Sequence, residues 1–386
     1  MGAKVGVLRE SAPGERRVAL TPDAVARLRP LGLDLVVESG AGMAAWFGDT
    51  AYTAAGATVT DRSTLEATCE VLACVQAPAD PGQHWRAGQV LLGLLAPLTQ
   101  PAYATALARA GVTAVSLDGL PRTLSRAQSM DALTSQANVA GYKAALIAAD
   151  AYGSFFPMLM TAAGTMRPAT VLVVGAGVAG LQAIGTARRL GAVVTGYDVR
   201  DAARADVAST GAAFLDLGPA VSGSGEGGYA RALTEDEQAS QQAGMERAVA
   251  TFDVVITTAQ VPGRRPPVLV SAAAVAGMRP GSVVVDLAAS ALGGNVDGSV
   301  PDARVVTDNG VLLIGAGNLP ATVPQAASTA YSRNIAALLA HLFHDGELRL
   351  DPADEITAGV LVTHDGEVVH PGLRRLLAAA SSGESR

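Results

Sequence analysis

Residues 171–180 read VLVVGAGVAG, and this stretch decides the fold of the second half of the chain. The apolar run of four residues is typical of a buried parallel strand, and the G-x-G-x-x-G that follows opens a helical pattern. Each glycine meets a separate physical demand. Gly175 permits a tight turn, Gly177 lets a diphosphate approach the backbone, and Gly180 lets the helix lie close to the strand. The diphosphate would then lie on the amides of the helix N-terminus, so the sequence predicts a dinucleotide-binding unit.

The acidic residue that completes this pattern is Asp198, which stands 23 residues after Gly175 at the end of the next apolar run. A carboxylate there accepts hydrogen bonds from both ribose hydroxyls and repels a 2'-phosphate, which favours NAD over NADP. Arg200 leaves an alternative open, because an arginine at this place either receives a 2'-phosphate or points to solvent. The predicted cofactor contacts of this half are Gly175, Ala176, Gly177, Val178, Gly180, Asp198, Val199 and Arg200.

Predicted strands and helices alternate on both sides of this motif. In the second half, short β-branched runs recur at 193–197, 254–258, 283–286 and 311–314. The first half contains six more, at 5–8, 34–38, 57–60, 71–76, 90–95 and 112–117. Helical patterns lie between the runs, and several of them start with a proline. This alternation predicts an α/β protein of two domains, a Rossmann-type doubly wound NAD-binding domain and a second, related α/β domain.

Two long helical patterns join these domains. One covers 125–152, and the other, at 324–341, is typical of a helix that returns to the first half. On this interpretation the N-terminal domain is discontinuous and takes 1–134 and 325–386, while the Rossmann-type domain takes 135–324. The glycine-rich segment 218–228 departs from the pattern, and its composition fits either a functional lid or an idle surface connection.

Composition excludes several other classes of protein. Of the 386 residues, 49% are hydrophobic, which supplies a large core and argues against a disordered or fibrous chain. The 28 basic and 35 acidic residues give a net charge of −7 without a block of one sign, so no nucleic-acid partner is expected. The two cysteines, Cys69 and Cys74, are expected to be plain buried core residues, and no metal site is expected. Neither a secretion signal nor a membrane span is evident, so we expect a soluble chain.

Further segments resemble the NAD(H)-binding alpha component of proton-translocating NAD(P) transhydrogenases, a family related to alanine dehydrogenase. The most specific of them is SRAQSMD at 125–131, followed by QAN at 136–138 and GY at 141–142. The others are RRVALTP at 16–22, TAAG at 161–164, GGYA at 227–230, TTA at 257–259, GGN at 293–295 and VTHDG at 362–366. The resemblance therefore covers nearly the whole chain.

The resemblance implies site residues in both halves. Gln128 and Asp131 would contact the nicotinamide end of the cofactor, and Thr134 would keep the hydroxyl of a family serine. Arg122 corresponds to a family arginine, but it stands one residue further from the SRAQ run than the family's spacing. In the second half, the residues implied to close over the nucleotide are Gly228, Tyr229, Gln241 and Gln260, the last of which replaces a leucine.

The resemblance also distinguishes two chemistries. Oxidative deamination of an amino acid needs a group that holds the carboxylate and a base that takes a proton. Alanine dehydrogenases use a lysine and a histidine, at motif positions that here are Gln76 and Ala96. The chain has two lysines, and of its five histidines only His84 lies outside the C-terminal tail, in a polar turn that indicates a surface residue.

Direct hydride transfer between two nicotinamides needs neither acid nor base, only two rings brought together with water kept out. We therefore expect NAD(H) on this chain and NADP(H) on a partner component, with Gln128, Asp131 and Thr134 orienting the nicotinamide. The resemblance further implies a membrane proton-channel component, a homodimer, and a cytoplasmic chain held at the inner membrane through its partners. Two alternatives stay open, an amino-acid dehydrogenase with relocated catalytic groups and a non-catalytic NAD-binding protein. Arg17 is either a substrate-binding residue of the cleft, which is the interpretation we favour, or a structural ion-pair donor.

Overall fold

The computed structural model of the chain describes residues 2–79, 85–217, 235–260 and 265–381, except for the side chains of 235–241 and 381. These residues form two compact units. Unit 1 is Met1–Gln136 together with Ala321–Arg386, and unit 2 is Ala137–Pro320. The boundaries predicted from the sequence, after residues 134 and 324, differ from these by two and four residues.

In the described residues of unit 1, eight strands form one sheet, with strands numbered along the whole chain. They are β1 (Lys4–Val7), β2 (Asp34–Glu38), β3 (Thr58–Thr60), β4 (Val71–Gln76), β5 (Val90–Leu94), β6 (Thr113–Ser116), β18 (Leu361–His364) and β19 (Glu367–Val368). Their spatial order is β19-β18-β6-β5-β4-β1-β2-β3. The first six strands run parallel, whereas β18 pairs antiparallel with β6 and with β19. Helices cover both faces, as a parallel sheet requires.

The helices of unit 1 are α1 (Pro22–Leu28), α2 (Asp49–Ala54), α3 (Arg62–Thr68), α4 (Pro101–Arg109), α10 (Pro324–Leu342), α11 (Glu355–Val360) and α12 (Pro371–Ser381). A further helix, α5 (Ala132–Ala151), begins in unit 1 and continues in unit 2. The return helix α10 packs Tyr331, Ile335 and Leu338 into the core beside the residues of β1 and β2. A short β-hairpin, β16 (Phe343–His344) with β17 (Glu347–Leu348), follows it. Cys69 and Cys74 are buried and unbridged, as predicted.

In the described residues of unit 2, seven strands form a second sheet. They are β9 (Thr170–Val174), β10 (Val193–Tyr197), β11 (Ala213–Phe214), β12 (Val254–Thr257), β13 (Val283–Asp286), β14 (Arg304–Val306) and β15 (Leu312–Gly315), in the order β11-β10-β9-β12-β13-β15-β14. The chain leaves β9 towards one edge and returns on its other side at β12. This reversal beside β9 is the topological switch at which doubly wound folds bind ligands, so the predicted Rossmann-type arrangement is confirmed.

The helices that lie wholly in unit 2 are α6 (Val178–Arg189), α7 (Ala203–Ser209), α8 (Glu235–Val249) and α9 (Ala272–Ala276). A hairpin of β7 (Leu159–Thr161) and β8 (Gly164–Met166) forms a small sheet of its own. The sequence patterns predicted neither this hairpin nor the strands β14, β18 and β19. Each of these strands is two to four residues long.

The single helix predicted over 125–152 is wrong at one point. A 3-10 helix over Ser125–Met130 ends at Asp131, where ψ is 86°, and α5 starts at the next residue. Asp131 Oδ1 accepts a 2.8 Å hydrogen bond from the amide of Thr134, as an N-cap side chain does. The interruption therefore has a local cause, and it creates a turn at the start of α5.

Candidate nucleotide-binding site

The glycine turn of unit 2 begins directly after β9 and leads into α6. Gly175 has a φ of +101°, and a Cβ there would lie 2.6 Å from Thr258 Oγ1. A Cβ on Gly180 would lie 1.8 Å from the carbonyl oxygen of Gly175, so this glycine permits the close approach of α6 to the strand end. A Cβ on Gly177, in contrast, would meet no atom of the described residues within 4 Å. Among the residues that the structure describes, the space beside Gly177 is open.

The N-terminus of α6 borders this open space. Gly177 is the N-cap residue, and within this fully described helix no side chain caps the end and no acid occupies the first turn. The amides of a first helical turn have no partner inside the helix and carry partial positive charge. A diphosphate beside Gly177 and Val178 would therefore find hydrogen-bond donors already in place.

Asp198 follows β10 and lies against the glycine turn. Its Oδ2 accepts a 2.8 Å hydrogen bond from the amide of Ala176. The Arg200 guanidinium donates to both carboxylate oxygens, from Nε to Oδ1 and from Nη2 to Oδ2, each at 2.9 Å, and its amide donates to Oδ1 at 2.9 Å. Arg200 thus takes neither of the two orientations considered from the sequence, because it pairs with the carboxylate.

The charge state of Asp198 suits ribose recognition. Burial by itself raises the pKa of Asp198, but hydrogen bonds from the Arg200 side chain and from the amides of Arg200 and Ala176 outweigh burial, so the pKa lies below its ordinary value. The same pairing raises the pKa of the Arg200 guanidinium. Asp198 is therefore ionised at neutral pH, and an ionised carboxylate accepts hydrogen bonds from hydroxyl groups.

Two residues that the sequence did not single out hold the backbone at and beside the glycine turn. Thr258 Oγ1 donates to the carbonyl of Gly175 at 3.0 Å. Asn295, a buried residue, accepts from the amide of Ala259 at 3.0 Å and donates to the carbonyl of Ala259 at 2.9 Å. Thr258 lies in the segment TTA and Asn295 in the segment GGN, both of which carry the family resemblance. The resemblance could therefore have indicated these two residues from the sequence.

Three of the four residues predicted in unit 1 form one hydrogen-bonded cluster. Arg122 Nε donates to Asp131 Oδ2 at 2.9 Å, and Arg122 Nη2 donates to Thr134 Oγ1 at 2.7 Å. The Thr134 hydroxyl donates to Asp131 Oδ2 at 2.6 Å. Arg122 thus reaches the cluster despite the longer spacing. Gln128 lies in the preceding turn, and its exposed side chain makes no hydrogen bond within the described part of the chain.

Of the remaining predicted contacts, some lie outside the described residues and two, Gln260 and Val199, lie within them. Gly228 and Tyr229 are outside them, together with the glycine-rich segment 218–228, and so is His84. Gln241 lies in α8, where its side chain is not described. Gln260 follows β12, and its side-chain amide donates to the carbonyl of Leu287 at 2.7 Å. Val199 packs against the core of unit 2.

The positions that carry lysine and histidine in alanine dehydrogenases lie at strand ends of unit 1. Gln76 is the last residue of β4, and Ala96 follows β5 with a φ of +47°. Beside Gln76, the Glu10 carboxylate accepts from the amides of Val75 and Gln76 at 2.7 and 3.2 Å. Burial raises the pKa of Glu10 to about 7, although these two hydrogen bonds act in the opposite direction.

Arg17 lies in the same region, and it forms an ion pair with Glu15 at 2.6 Å. The Arg17 side chain is 4% exposed and the Glu15 side chain is fully covered. Of the two interpretations of Arg17 that the sequence allowed, the structure supports the ion-pair donor.

Replacing Glu10 by glutamine is expected to remove part of the pH dependence of folding stability. With a pKa raised from 4.5 to about 7, the folded state binds more protons than the unfolded state between these values, so this group lowers stability as pH rises through the window. Relative to the parent chain, Glu10→Gln should gain about 2 kcal/mol between about pH 5 and pH 8, less than the full shift because Glu10 keeps partial exposure. Urea unfolding at the two pH values measures this difference, and a constant difference would contradict it.

Neither a metal-binding group nor a membrane-spanning helix is found among the residues that the structure describes. No group of three or more His, Cys, Asp or Glu side chains there could hold a metal ion. None of the helices described is long and apolar enough to cross a membrane.

Comparison with known proteins identifies the family. The models of the alanine dehydrogenase/PNT N-terminal domain and C-terminal domain match residues 6–140 and 144–371. The chain therefore belongs to the alanine dehydrogenase/PNT family.

Individual relatives narrow this assignment. The chain is 41% identical to the NAD(P) transhydrogenase subunit alpha of Cereibacter sphaeroides, over 99% of this chain and 74% of that protein. The crystal structure of a transhydrogenase from Sinorhizobium meliloti matches with a TM-score of 0.82 and 39% identity, over 95% of this chain and 99% of that one. An L-alanine dehydrogenase structure matches with a TM-score of 0.80 but 26% identity, over 97% and 99%. Within the family the chain is thus a transhydrogenase alpha subunit, and the predicted resemblance is confirmed.

Proposed function

We propose that this chain binds NAD(H) and exchanges hydride with NADP(H) held by a partner component, while a membrane component couples the exchange to proton movement. The observation that carries the proposal is the glycine turn with Asp198 beside it. Open space at Gly177, an uncapped helix N-terminus and an ionised carboxylate lie together at the topological switch of unit 2. These are the groups that a diphosphate and a ribose require.

Ribose binding at Asp198 requires an exchange of hydrogen bonds. In the structure, Arg200 and Ala176 donate four hydrogen bonds to the two carboxylate oxygens, which is the full capacity of a carboxylate. A ribose would therefore take over positions that the Arg200 guanidinium occupies. The carboxylate still disfavours a 2'-phosphate, and this supports NAD(H) as the nucleotide.

The residues of unit 1 support direct hydride transfer rather than amino-acid oxidation. Gln76 and Ala96 provide neither the cation nor the base that deamination needs. The nicotinamide ring supplies the hydride chemistry once bound. We assign the Gln128 amide, the Asp131 carboxylate and the Thr134 hydroxyl to orienting the carboxamide and ribose, with Arg122 fixing Asp131 and Thr134 through its two hydrogen bonds.

We also propose a homodimer, supported by the β7–β8 hairpin. Met158, Met160 and Met166 are 58%, 73% and 45% exposed in and beside this hairpin. A two-stranded hairpin is marginally stable by itself, and a cluster of exposed apolar side chains marks a contact surface. Residues 154–166 carry no charged side chain, so two copies could meet there without repulsion. The cytoplasmic location and the attachment to the inner membrane through partners belong to the same proposal.

Mixing the purified chain with an NADP(H)-binding transhydrogenase component is expected to allow hydride exchange between NADPH and an NAD analogue. The exchange should be at least about a hundredfold faster than with either protein alone, because catalysis lies in bringing two rings together. Absorbance of the reduced analogue measures the rate. Alanine-dependent formation of NADH by the chain would support an amino-acid dehydrogenase instead. Nucleotide binding without exchange would support a non-catalytic binding protein.

A further inference from the structure

The turn that carries Gln128 is held at Ser129 by a buried side chain of α10. Asn334 Nδ2 donates to the carbonyl of Ser129, the residue after Gln128, at 2.9 Å. Asn334 Oδ1 accepts from the hydroxyl of Ser135, in the first turn of α5, at 2.7 Å. Asn334 is 7% exposed. One amide thus joins both sides of the interruption at Asp131.

Asn334 is the end of a longer chain of hydrogen bonds, of which the bond between Arg17 and Gln136 is buried and the others are partly buried. The Ser135 hydroxyl accepts from Gln136 Nε2 at 3.2 Å, and Gln136 Oε1 accepts from Arg17 Nη1 at 2.8 Å. Gln136 is 6% exposed, and Arg17 is held in turn by its ion pair with Glu15. Gln136 Nε2 also donates to the carbonyl of Ala327 in α10 at 3.1 Å.

The two ends fix the direction of this network. A guanidinium only donates and a carbonyl only accepts, so each amide between Arg17 and Ser129 has one orientation that satisfies both of its neighbours. The hydrogen bonds therefore run the same way, from Arg17 through Gln136, Ser135 and Asn334 to the Ser129 carbonyl. The Ser135 hydroxyl has a second, longer acceptor in the carbonyl of Ala132, at 3.1 Å against 2.7 Å for Asn334 Oδ1. Chains of hydrogen bonds that are aligned in this manner are rigid, because each bond polarises the next.

From this geometry we propose that Asn334 is a positioning residue for hydride transfer, which rests on the function proposed above. The short 3-10 helix over Ser125–Met130 has weak hydrogen bonds of its own, so its placement depends on external anchors. The Gln128 side chain is exposed and makes no hydrogen bond within the described residues, so its direction is set by the backbone of the turn. Asn334 holds this backbone at Ser129, and the buried side chains of Ala127 and Met130 hold it on the core side. A small displacement of a group that orients substrate costs rate even when binding is preserved.

The same helix supplies a matched control. Ser332, two residues from Asn334 and fully buried, accepts from the amide of Thr21 at 2.9 Å. Ser332→Ala also removes a buried hydrogen bond of α10, but that bond leads to the segment before α1 rather than to the Gln128 turn. Loss of stability alone would therefore affect both variants, and loss of positioning would affect only Asn334.

The test compares Asn334→Ala, Asn334→Asp and Ser332→Ala in hydride exchange with the NADP(H)-binding component. Asn334→Asp keeps the size and the acceptor towards Ser135 but places a carboxylate oxygen against the Ser129 carbonyl. Both Asn334 variants should lower kcat about tenfold and leave the Kd for NADH within about twofold, whereas Ser332→Ala should keep kcat within about twofold. Equal kcat values for the three variants, or equal losses, would overturn the proposal.

Two further measurements make the result specific. In a Gln128→Ala background, Asn334→Ala should lower kcat no further, because its effect passes through Gln128; additive losses would show an independent role. Deuterium uptake of peptides that cover residues 122–134 should rise in Asn334→Ala and stay at the parent level in Ser332→Ala. Unchanged uptake overturns the positioning role even if the parent chain exchanges no hydride. Absence of exchange by the parent chain, with the uptake difference present, would overturn only the proposed function.

Discussion

Gly177→Ala is expected to weaken NADH binding about a hundredfold, equivalent to about 3 kcal/mol, without lowering the stability of the fold. A Cβ at this position meets no atom of the described residues within 4 Å, and Gly177 has a φ of −77°, which alanine adopts readily. The added methyl group would project into the space that we assign to the diphosphate, and it would hold the phosphates away from the first amides of α6. Fluorescence titration with NADH measures the affinity, and urea unfolding measures the stability.

Gly185→Ala is the matched control in the same helix. Among the described residues its Cβ would meet only Arg189 Nη1, at 4.0 Å, and replacing a glycine inside a helix should stabilise the fold by about 0.5–1 kcal/mol. NADH affinity should stay at the parent value. Gly180→Ala cannot separate binding from folding, because its Cβ would lie 1.8 Å from the Gly175 carbonyl oxygen. An unchanged Kd for Gly177→Ala would mean that no diphosphate approaches this backbone.

The sequence predicted the parts of the fold that are governed by local rules. Strands buried on both faces read as apolar runs, so β2, β4, β10 and β13 were predicted with the bounds that the structure gives them. The glycine positions could also be interpreted one by one, because each has a steric requirement that other residues do not meet. Gly180 is an example, since any side chain there would collide with the carbonyl oxygen of Gly175.

Features that depend on distant partners could not be predicted in this way. The direction of Arg200 is decided by the Asp198 carboxylate, and sequence offered only two other orientations. Asn334 lies in an apolar helical pattern, and its importance appears only when Ser129, 205 positions earlier in the chain, is seen to accept its hydrogen bond. The helix break at Asp131 is local, but an aspartate within a helical pattern signals a cap only when the adjacent turn is known.

Gln128→Ala is expected to lower the kcat of hydride exchange about a hundredfold and to change the Kd for NADH by no more than about threefold. The side chain is exposed and makes no hydrogen bond within the described part of the chain, so the fold should lose no stability. Its amide can offer both a donor and an acceptor to a carboxamide, which is the group whose rotation sets the orientation of a nicotinamide ring. The measurement is the exchange rate with the NADP(H)-binding component at saturating nucleotide.

Thr123→Ala provides the control, because Thr123 is exposed in the same segment and no role is assigned to it. This variant should keep both the parent kcat and the parent Kd. The opposite result would be a higher Kd for Gln128→Ala together with the parent kcat at saturating nucleotide. It would show that Gln128 stabilises the bound cofactor equally before and during hydride transfer and does not orient it. Which of the two constants changes, kcat or the Kd for NADH, therefore decides whether Gln128 orients the cofactor or only binds it.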